Sequence, residues 1–215
     1  MKRTFALISD THNIWKEDVP EAEFLLHAGD FTERGKESEI IQAMNWFASL
    51  PHEHKVATPG NHDFLFERAE DLARQLTPAG IEMLIGQAKT IGGVKFYGAP
   101  YTPTFYNWAF NCEAEQLERH WAHVPEDTDV LISHGPPFGH LDVTARDKNH
   151  VGDRALMRAI ERVKPRLVVC GHIHEGAGQS EIDWGNGHKT LIVNASVIDE
   201  RYRIKNQAAL ITLEL

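Results

Sequence analysis

Five short segments of the sequence carry residue types that bind metal ions well. They are, in chain order, Asp10-Thr11-His12, Gly29-Asp30, Gly60-Asn61-His62-Asp63, His134-Gly135 and Gly171-His172-Ile173-His174. Carboxylate, amide and imidazole ligands without a thiolate suit Mn²⁺, Fe, Zn²⁺, Co²⁺ or Ni²⁺, and so many histidines are too soft for Mg²⁺ or Ca²⁺ alone. Although each segment alone is more typical of a turn, the five together predict a metal centre.

Two of the segments space their candidate ligands two residues apart. In an extended backbone, residues i and i+2 project from the same face, so Asp10 and His12 are expected to point together, as are His172 and His174. Glycines adjoin the other ligands, and a residue without Cβ lets the backbone turn sharply or approach a crowded centre. Each pair is predicted to hold one side of a metal centre. Of the 13 histidines, those outside the five segments are predicted to be surface or packing residues.

Short apolar runs precede most of the five segments and are typical of buried strands. They cover Thr4 to Ile8, Phe24 to Ala28, Val94 to Tyr97, Val130 to Ile132, Leu167 to Val169 and Leu191 to Val193. Ligands in open α/β sheets gather outside the carboxyl ends of the strands. Residues far apart in the sequence are therefore expected to meet there and form one site.

Helical patterns lie between several of the predicted strands. Apolar residues share one helix face in the stretches 40–48, 69–76 and 156–163, and Asp153 is predicted to cap the last of these helices. The alternation predicts an α/β fold, and the strand-like material toward the C-terminal part predicts two packed sheets. Because no repeat or linker divides the chain, residues 1–215 are expected to form a single domain.

Charge and composition restrict the partners. A net charge of -9 argues against a protein that binds nucleic-acid backbones, whereas metal ions would still attract a small anionic substrate. Cys112 and Cys170 lack a paired spacing, so no disulfide is expected. The apolar stretch after Met1 is too short for a signal peptide, and no run approaches the roughly 18 residues of a membrane helix. These features predict a cytoplasmic protein without a membrane partner, and they leave its oligomeric state open.

The order and wording of the five segments resemble the signature motifs of the calcineurin-like metallophosphoesterases, over residues 10–174. The resemblance implies a two-sheet β-sandwich flanked by helices and the hydrolysis of phosphate esters with two divalent metal ions, with Mn²⁺ favoured. It implies these ligands: Asp10, His12 and His174 for one ion, Asn61, His134 and His172 for the second, and Asp30 as the bridge between them.

The same resemblance assigns the catalytic proton to His62. This imidazole would protonate the leaving alkoxide, and general acid catalysis is typically worth about 10² to 10⁴ in rate. Asp63 would orient the His62 ring and raise its basicity, as a carboxylate beside an imidazole often does. His62 and Asp63 are therefore the two residues expected to act in catalysis.

Further segments of the sequence resemble a smaller subgroup, the metallophosphoesterase-domain proteins. These segments are Gly98-Ala99-Pro100, Phe105 to Asn111, His134-Gly135-Pro136-Pro137 and Gly171 to Gly176. This resemblance implies a phosphodiesterase that acts on cyclic nucleotides, with 2′,3′-cyclic AMP as a favoured candidate. The aromatic residues from Tyr101 to Phe110 would either wall a nucleobase pocket or anchor their own loop, and the sequence leaves both open.

Three alternatives stay open at this level. A phosphomonoesterase, including a phosphoprotein phosphatase, would apply the same chemistry to another substrate. A non-catalytic interaction module would keep the fold with a decayed site, but the intact segments and His62 argue against it. A nuclease acting on polymeric nucleic acid is disfavoured by the acidic balance of charge.

Overall fold

Strands and helices alternate along the chain as the sequence pattern predicts. The computed structural model describes residues 1–15, 18–145 and 148–215. The strands are β1 (Lys2–Ile8), β2 (Phe24–His27), β3 (His54–Ala57), β4 (Ile81–Met83), β5 (Gln87–Ile91), β6 (Val94–Ala99), β7 (Thr102–Pro103), β8 (Asn111–Cys112), β9 (Val130–Ser133), β10 (Leu167–Cys170), β11 (Gly178–Asp183), β12 (Lys189–Asn194) and β13 (Ala209–Glu214). The α-helices are α1 (Glu37–Ser49), α2 (Phe64–Arg68), α3 (Glu70–Gln75), α4 (Ala114–Ala122) and α5 (Arg154–Val163).

The first sheet has the strand order β13-β1-β2-β3-β4. Strands β1 to β4 run parallel, and β13 pairs antiparallel with β1 at one side of the sheet. The register aligns Ile8 with His27 and His27 with Ala57, so the carboxyl ends of β1, β2 and β3 lie level. Loops that leave these three strands therefore start from the same edge.

The second sheet has the order β11-β12-β10-β9-β6-β5. Its four inner strands run parallel, and the outer strands β5 and β11 pair antiparallel with their neighbours. A short separate ladder joins β7 to β8. The parallel centre again places the carboxyl ends of β9 and β10 side by side.

The two sheets pack face to face around one apolar layer. Strand β1 shows why: Phe5 and Leu7 lie in the layer between the sheets, whereas Ala6 and Ile8 contact the helices on the outside. Successive side chains of a strand point to opposite faces, so a strand buried on both faces is apolar throughout. Helices α1 to α3 cover the first sheet and α4 and α5 cover the second. The predicted two-sheet sandwich flanked by helices is confirmed.

The helices form where the apolar residues share one face. Helix α5 buries Leu156, Ile160 and Val163, and the Asp153 side chain accepts a hydrogen bond of 2.7 Å from the backbone N–H of Ala155. The predicted N-cap is therefore present, and it satisfies a donor that the first turn leaves unpaired. Among the helices of the described segments, none combines the length and the apolar character that crossing a membrane requires.

Candidate metal centre

The five ligand-bearing segments follow parallel strands of both sheets. They leave the carboxyl ends of β1, β2, β3, β9 and β10, and they meet at one end of the sandwich. Here lie the clusters Asp10, His12 and His174; His12, Asp30 and His62; and Asp30, His134 and His172, with the ligand atoms of each cluster within 4.8 Å of one another. The five segments, which lie far apart in the sequence, therefore meet in the structure as expected.

The backbone at this edge is left-handed rather than extended. Residues Asp10, His12, Asp30 and His172 have φ angles of 57°, 42°, 58° and 67°. The extended i, i+2 geometry that the spacing predicts is therefore wrong. Asp10 and His12 do share a cluster, but through successive tight turns, and His172 and His174 belong to different clusters. Such backbone angles are uncommon outside glycine and concentrate at functional sites.

Two glycines let the crossing loops approach each other. A Cβ built on Gly60 would collide with the Asp30 side chain and backbone, and one on Gly171 would collide with the side chains of Ser9 and Asp10. Any larger residue at either position would push a ligand-bearing loop away. The close approach that the sequence predicts for glycine is therefore needed at Gly60 and Gly171.

The first cluster is organised by hydrogen bonds to the backbone. His174 donates from Nδ1 to the carbonyl oxygen of Asp199 at 3.1 Å, which turns Nε2 toward Asp10 Oδ1 at 3.6 Å. The single backbone N–H of His172 in turn donates to both carboxylate oxygens of Asp10, each at 3.1 Å. A histidine whose far nitrogen is held by an outer partner presents one fixed nitrogen to an ion.

In the second cluster a histidine is again oriented by a hydrogen bond to a backbone carbonyl. His134 donates from Nδ1 to the carbonyl oxygen of Ala28 at 2.8 Å, and its Nε2 lies 2.8 Å from Asn61 Oδ1 and 3.3 Å from Asp30 Oδ2. His172 completes this cluster. Asn61, His134 and His172 are thus together, as the resemblance implies.

Asp30 lies between the two clusters. Its Oδ2 is 3.6 Å from His12 Nε2 and 3.3 Å from His134 Nε2, and its Oδ1 accepts a hydrogen bond of 2.8 Å from the His62 backbone N–H. One carboxylate oxygen therefore faces imidazoles of both clusters. The resemblance implies a bridging role for Asp30, and its carboxylate lies between the two clusters.

The charges favour cation binding. Burial opposes ionisation of Asp10 and Asp30, yet the neighbouring His174 and His134 respectively hold the pKa of these carboxyls below the usual range. Both residues are therefore carboxylates at neutral pH, within a cleft where low dielectric strengthens their attraction for a cation.

His12 provides a direct test of whether an ion fits. Its side chain is almost wholly buried, and neither ring nitrogen has a hydrogen-bond partner among the described residues. An unpaired buried polar group costs about 1–3 kcal/mol, so a missing partner is indicated. Burial lowers the pKa of His12 to about 4 and that of His172 to about 3. Both rings are thus neutral, with a lone pair available, and a divalent cation fits the site.

The His62 ring faces the same centre. It donates from Nδ1 to the backbone carbonyl of Glu33 at 2.8 Å, and its Nε2 lies 4.0 Å from Asp30 Oδ2. The expected role of Asp63 as the residue that orients this ring is therefore wrong. The carbonyl of Glu33 holds the ring, whereas the hydrogen bonds of the Asp63 carboxylate go to other groups.

Asp63 instead ties two loops together. Its carboxylate accepts hydrogen bonds from the backbone N–H groups of Phe31, Thr32 and Gly60 and from the Thr32 hydroxyl, over 2.8–3.2 Å. Burial, together with the charge of Asp30, raises the pKa of Asp63 to about 6. This residue acts on the site by fixing the turn that carries Asn61.

A loop near the C-terminal strand adds residues that the sequence did not indicate. Tyr202 lies over the first cluster, with ring centroids 4.9 Å from His12 and 5.6 Å from His174. The loop is braced by Asp199, which accepts from Arg203 Nη2 at 2.6 Å. The five motifs end at residue 174, and no spacing signal marks this loop, so only the structure places it at the site.

The aromatic residues from Tyr101 to Phe110 divide between the two expected roles. Phe110 is buried in the core, and Tyr101 stacks on His120 at 3.7 Å. Trp108 stacks on His62 with ring centroids 4.1 Å apart. Phe105 is half exposed and lines a cleft beside the second cluster. Packing and site formation are therefore both present in one loop.

The cleft has a volume of about 320 Å³ and is mainly apolar. Phe105, Pro136 and Ile173 contribute to its walls, and His172 closes the end nearest the metal centre. The Thr144 hydroxyl also borders it, is buried, and has no hydrogen-bond partner within the described residues. An apolar recess with one unpaired polar atom is typical of a small-molecule subsite.

The fold and the site together define a metal-binding hydrolase of the α/β class. Residues 3–176 match the family model described as calcineurin-like phosphoesterase. The chain belongs to the calcineurin-like phosphoesterase family, and its activity class is that of a metal-dependent phosphoester hydrolase.

Relatives at higher similarity support this assignment. The chain is 37% identical to the human metallophosphoesterase domain-containing protein 1 over 97% of its own length and 70% of that protein. It is 35% identical to the UPF0046 protein K07C11.7 of Caenorhabditis elegans, covering 93% of this chain and 71% of the other. A solved crystal structure at 18% identity covers 90% of both chains with a TM-score of 0.67, which shows a shared fold.

Proposed function

We propose that the protein is a dinuclear metal-dependent phosphodiesterase that hydrolyses small cyclic nucleotides such as 2′,3′-cyclic AMP. The observation that carries this proposal is the position of Asp30 Oδ2, which lies 3.3–4.0 Å from the Nε2 atoms of three histidines. One carboxylate thereby joins two ligand clusters and the candidate acid. Mn²⁺ is the ion we favour, since the ligands combine carboxylate oxygens with imidazoles.

The protein residues prepare the site before substrate arrives. Asp10, His12 and His174 would hold one ion, Asn61, His134 and His172 the second, and Asp30 both. When bound, such ions supply Lewis acidity that activates water and offsets the charge of the phosphoryl group. Fixed Nδ1 partners on His134 and His174 keep the ligand nitrogens aimed, which limits reorganisation during the reaction.

His62 would deliver the proton. Its Nδ1–H is committed to the carbonyl of Glu33, so Nε2 is the nitrogen that faces the centre. As the bond between phosphorus and the leaving oxygen breaks, that oxygen takes the proton from Nε2 and departs as an alcohol. In a cyclic diester the alcohol stays attached, and the product is a nucleoside monophosphate.

The cleft beside His172 supports a nucleotide substrate. Its volume falls near the lower end of the roughly 300–1,000 Å³ of ligand pockets, which suits a nucleobase rather than a peptide. Phe105 offers a ring face for stacking, and the Thr144 hydroxyl offers a polar contact to a base edge. Phe105→Ala and Thr144→Val should raise KM for the cyclic nucleotide and leave KM for bis-p-nitrophenyl phosphate within about twofold.

We also propose that the protein works in the cytoplasm. Cys112 and Cys170 are both free and buried, and burial raises the pKa of Cys112 to about 11 and that of Cys170 above the usual range. Such thiols are inert packing groups, as is common in a reducing compartment. Fractionation of cells that express the tagged protein would test this placement.

The test of the function is hydrolysis by metal-stripped protein to which Mn²⁺ is returned. Bis-p-nitrophenyl phosphate and 2′,3′-cyclic AMP serve as substrates, with His62→Ala and Asp30→Ala as variants. We expect turnover of both substrates by the wild type and a loss of about 10²-fold or more with both in Asp30→Ala. His62→Ala should lose about 10²-fold or more with the cyclic nucleotide and less with bis-p-nitrophenyl phosphate, because p-nitrophenolate leaves readily without a proton. Absence of turnover with any of the candidate ions in a folded protein would contradict the proposal.

A comparison with p-nitrophenyl phosphate separates diesterase from monoesterase activity. The proposal requires a higher kcat/KM for the diester than for the monoester. The reverse order would favour a phosphomonoesterase with the same metal centre.

A further inference from the structure

Trp108 covers one face of the His62 ring. The two ring centroids lie 4.1 Å apart with an interplanar angle of 22°, while His12 meets His62 edge-on at 4.6 Å and 86°. The His62 side chain is 11% exposed, so the indole excludes water from most of the ring face. The imidazole is therefore confined by rings on two sides.

Trp108 is itself held in place by the site. The next residue, Ala109, donates its backbone N–H to the carbonyl oxygen of Asn61 at 3.1 Å. The Phe64 ring lies 5.9 Å from the indole, and the Arg34 guanidinium carbon also lies 5.9 Å from it. The aromatic loop is thus anchored to the turn that carries both a candidate metal ligand and His62.

A hydrogen bond alone does not fix the His62 ring. The bond from Nδ1 to Glu33 restrains one ring atom, but rotation about the bond between Cβ and Cγ of histidine is broad. A tilt about this axis moves Nε2, which must reach the leaving oxygen. Since a misplacement of about 1 Å can cost about 10²-fold in rate, a flat neighbour on the ring face has a direct catalytic use.

We propose that Trp108 is a positioning residue that keeps Nε2 of His62 directed at the leaving oxygen of the substrate. This inference rests on the proposed function, in which His62 is the general acid. Trp108 acts on the reaction through His62. Replacing Trp108 should therefore lower the rate most for leaving groups that depend most on protonation.

The test is a series of methyl aryl phosphate diesters with aryl groups of similar size and different leaving-group acidity. Wild type, Trp108→Ala, Trp108→Phe and His62→Ala are compared in kcat, with Mn²⁺ present. We expect Trp108→Ala to lose about tenfold or more with the poorest leaving group and about twofold or less with the best. Its dependence on leaving-group acidity should approach that of His62→Ala, and Trp108→Phe should restore most of the wild-type dependence.

Control variants and measurements distinguish the positioning of His62 from effects on the loop, on metal binding and on folding. Tyr106 belongs to the same loop but is 74% exposed, and its ring contacts Phe105 with centroids 4.4 Å apart. Tyr106→Ala should therefore keep the wild-type dependence on leaving-group acidity. Metal content and thermal unfolding midpoints show whether each variant retains its site and its fold. If Trp108→Ala does not fold, Trp108→Leu keeps an apolar side chain without a flat ring and replaces it.

A proton NMR measurement on the metal-stripped protein provides a test that does not depend on activity. The ring current of the indole should displace the His62 Cε1–H proton resonance upfield, and that signal is identified by its absence in His62→Ala. We expect it to move downfield in Trp108→Ala and to stay in place in Tyr106→Ala. An unmoved signal would overturn the stacking on which the inference depends.

The kinetic outcomes separate this inference from the function itself. An equal loss across all leaving groups in Trp108→Ala would overturn the positioning role and indicate a structural or substrate-binding one. An unchanged dependence in His62→Ala would overturn the inference together with the assignment of the acid. An inactive wild type would contradict the proposed function, and the proton resonance would still decide whether Trp108 orders the ring.

Discussion

The residue types at the metal centre match the backbone angles that the turns require. Asp10, His12 and Asp30 all have positive φ, and aspartate, asparagine and histidine enter this region more readily than other residues with a Cβ. The same side chains offer oxygen or nitrogen ligands. Residue choice at these positions therefore serves the turn and the ion together.

We expect Asp63→Asn to unfold at a lower denaturant concentration than the wild type. The carboxylate accepts hydrogen bonds from three backbone N–H groups and a hydroxyl, and an amide replaces one acceptor oxygen with a donor that faces other donors. The cost should be about 2–4 kcal/mol, with a further loss of activity through the displaced turn at Asn61. Urea unfolding of the metal-stripped protein measures it.

The exposed Asp71 on helix α3 is the matched control. Asp71→Asn should change the free energy of unfolding by about 0.5 kcal/mol or less. Equal effects of the two substitutions would refute the role assigned to Asp63.

Stability should depend on pH through His27. This buried ring stacks on Phe31 at 3.6 Å and accepts a hydrogen bond from the Gly29 N–H at Nδ1. Burial lowers the pKa of His27 from 6.5 to about 3, so between these values the unfolded chain binds a proton that the folded chain does not. The contribution of His27 is complete above pH 6.5 and is lost as pH falls toward 3.

His27→Asn should weaken this dependence, since asparagine can still accept at the Nδ1 position without titrating. For metal-stripped protein between about pH 6 and pH 4, the slope of unfolding free energy against pH should fall by up to about 1.4 kcal/mol per unit relative to wild type. Urea titrations at several pH values give both slopes, and identical slopes would be evidence against a neutral buried His27.

The strands that sequence patterns predicted are those buried on both faces. Strands such as Leu167–Cys170 are continuous apolar runs, because helices cover one face and the other sheet covers the second. The outer strands Gln87–Ile91 and Gly178–Asp183 were not predicted, because their residues are mostly exposed and form no apolar run. The strand Ala209–Glu214 was also missed, although its alternation was a usable signal.

Strand β13 offers a comparison of its two faces. Ile211 is buried against the layer between the sheets, whereas the adjacent Leu210 is 52% exposed. Ile211→Ala should destabilise the protein by about 2–4 kcal/mol through lost burial and a cavity, and Leu210→Ala by about 0.5 kcal/mol or less. The denaturant midpoints of the two variants measure these changes in stability. A larger effect at Leu210 would be inconsistent with the observed register.

On the scale of the whole molecule, the site exists only while both sheets are packed together. Asp10, Asp30 and Asn61 follow strands of the first sheet, and His134 and His172 follow strands of the second. The unfolded chain has no such arrangement of ligands. Ion binding and folding must therefore be coupled.

We expect Mn²⁺ to raise the thermal unfolding midpoint of the metal-stripped wild type. Binding to the folded state alone contributes about 2.7 kcal/mol at a free ion concentration 100 times Kd. Asp30→Ala should abolish most of the increase because it removes the shared ligand, and His12→Ala and His172→Ala should each remove part of it. The exposed His123 provides the control, and His123→Ala should behave as wild type. Calorimetric scans with and without Mn²⁺ measure the shifts.

The sequence by itself determined the ligand types, their order, and four of the five strands that deliver them to one edge. The strand His54–Ala57, which precedes the Asn61 segment, was missed. Hydrophobic periodicity specifies which segments are buried as strands, and the carboxyl ends of parallel strands must share an edge. That was enough to predict an α/β fold with two packed sheets and a metal centre, and the resemblance to the family implied the helix-flanked sandwich. The individual roles of His62, Asp30 and the other ligands stay predictions until the variants are measured.

Only the tertiary structure revealed which side chains and backbone groups contact each other at the site. Glu33, rather than Asp63, holds the His62 ring, and Trp108 covers it, because the loops adopt left-handed turns that sequence spacing does not reveal. Tyr202 reaches the site from a loop far along the chain. Contacts between loops depend on how distant strands pack, since packing fixes where each loop begins and how it must turn.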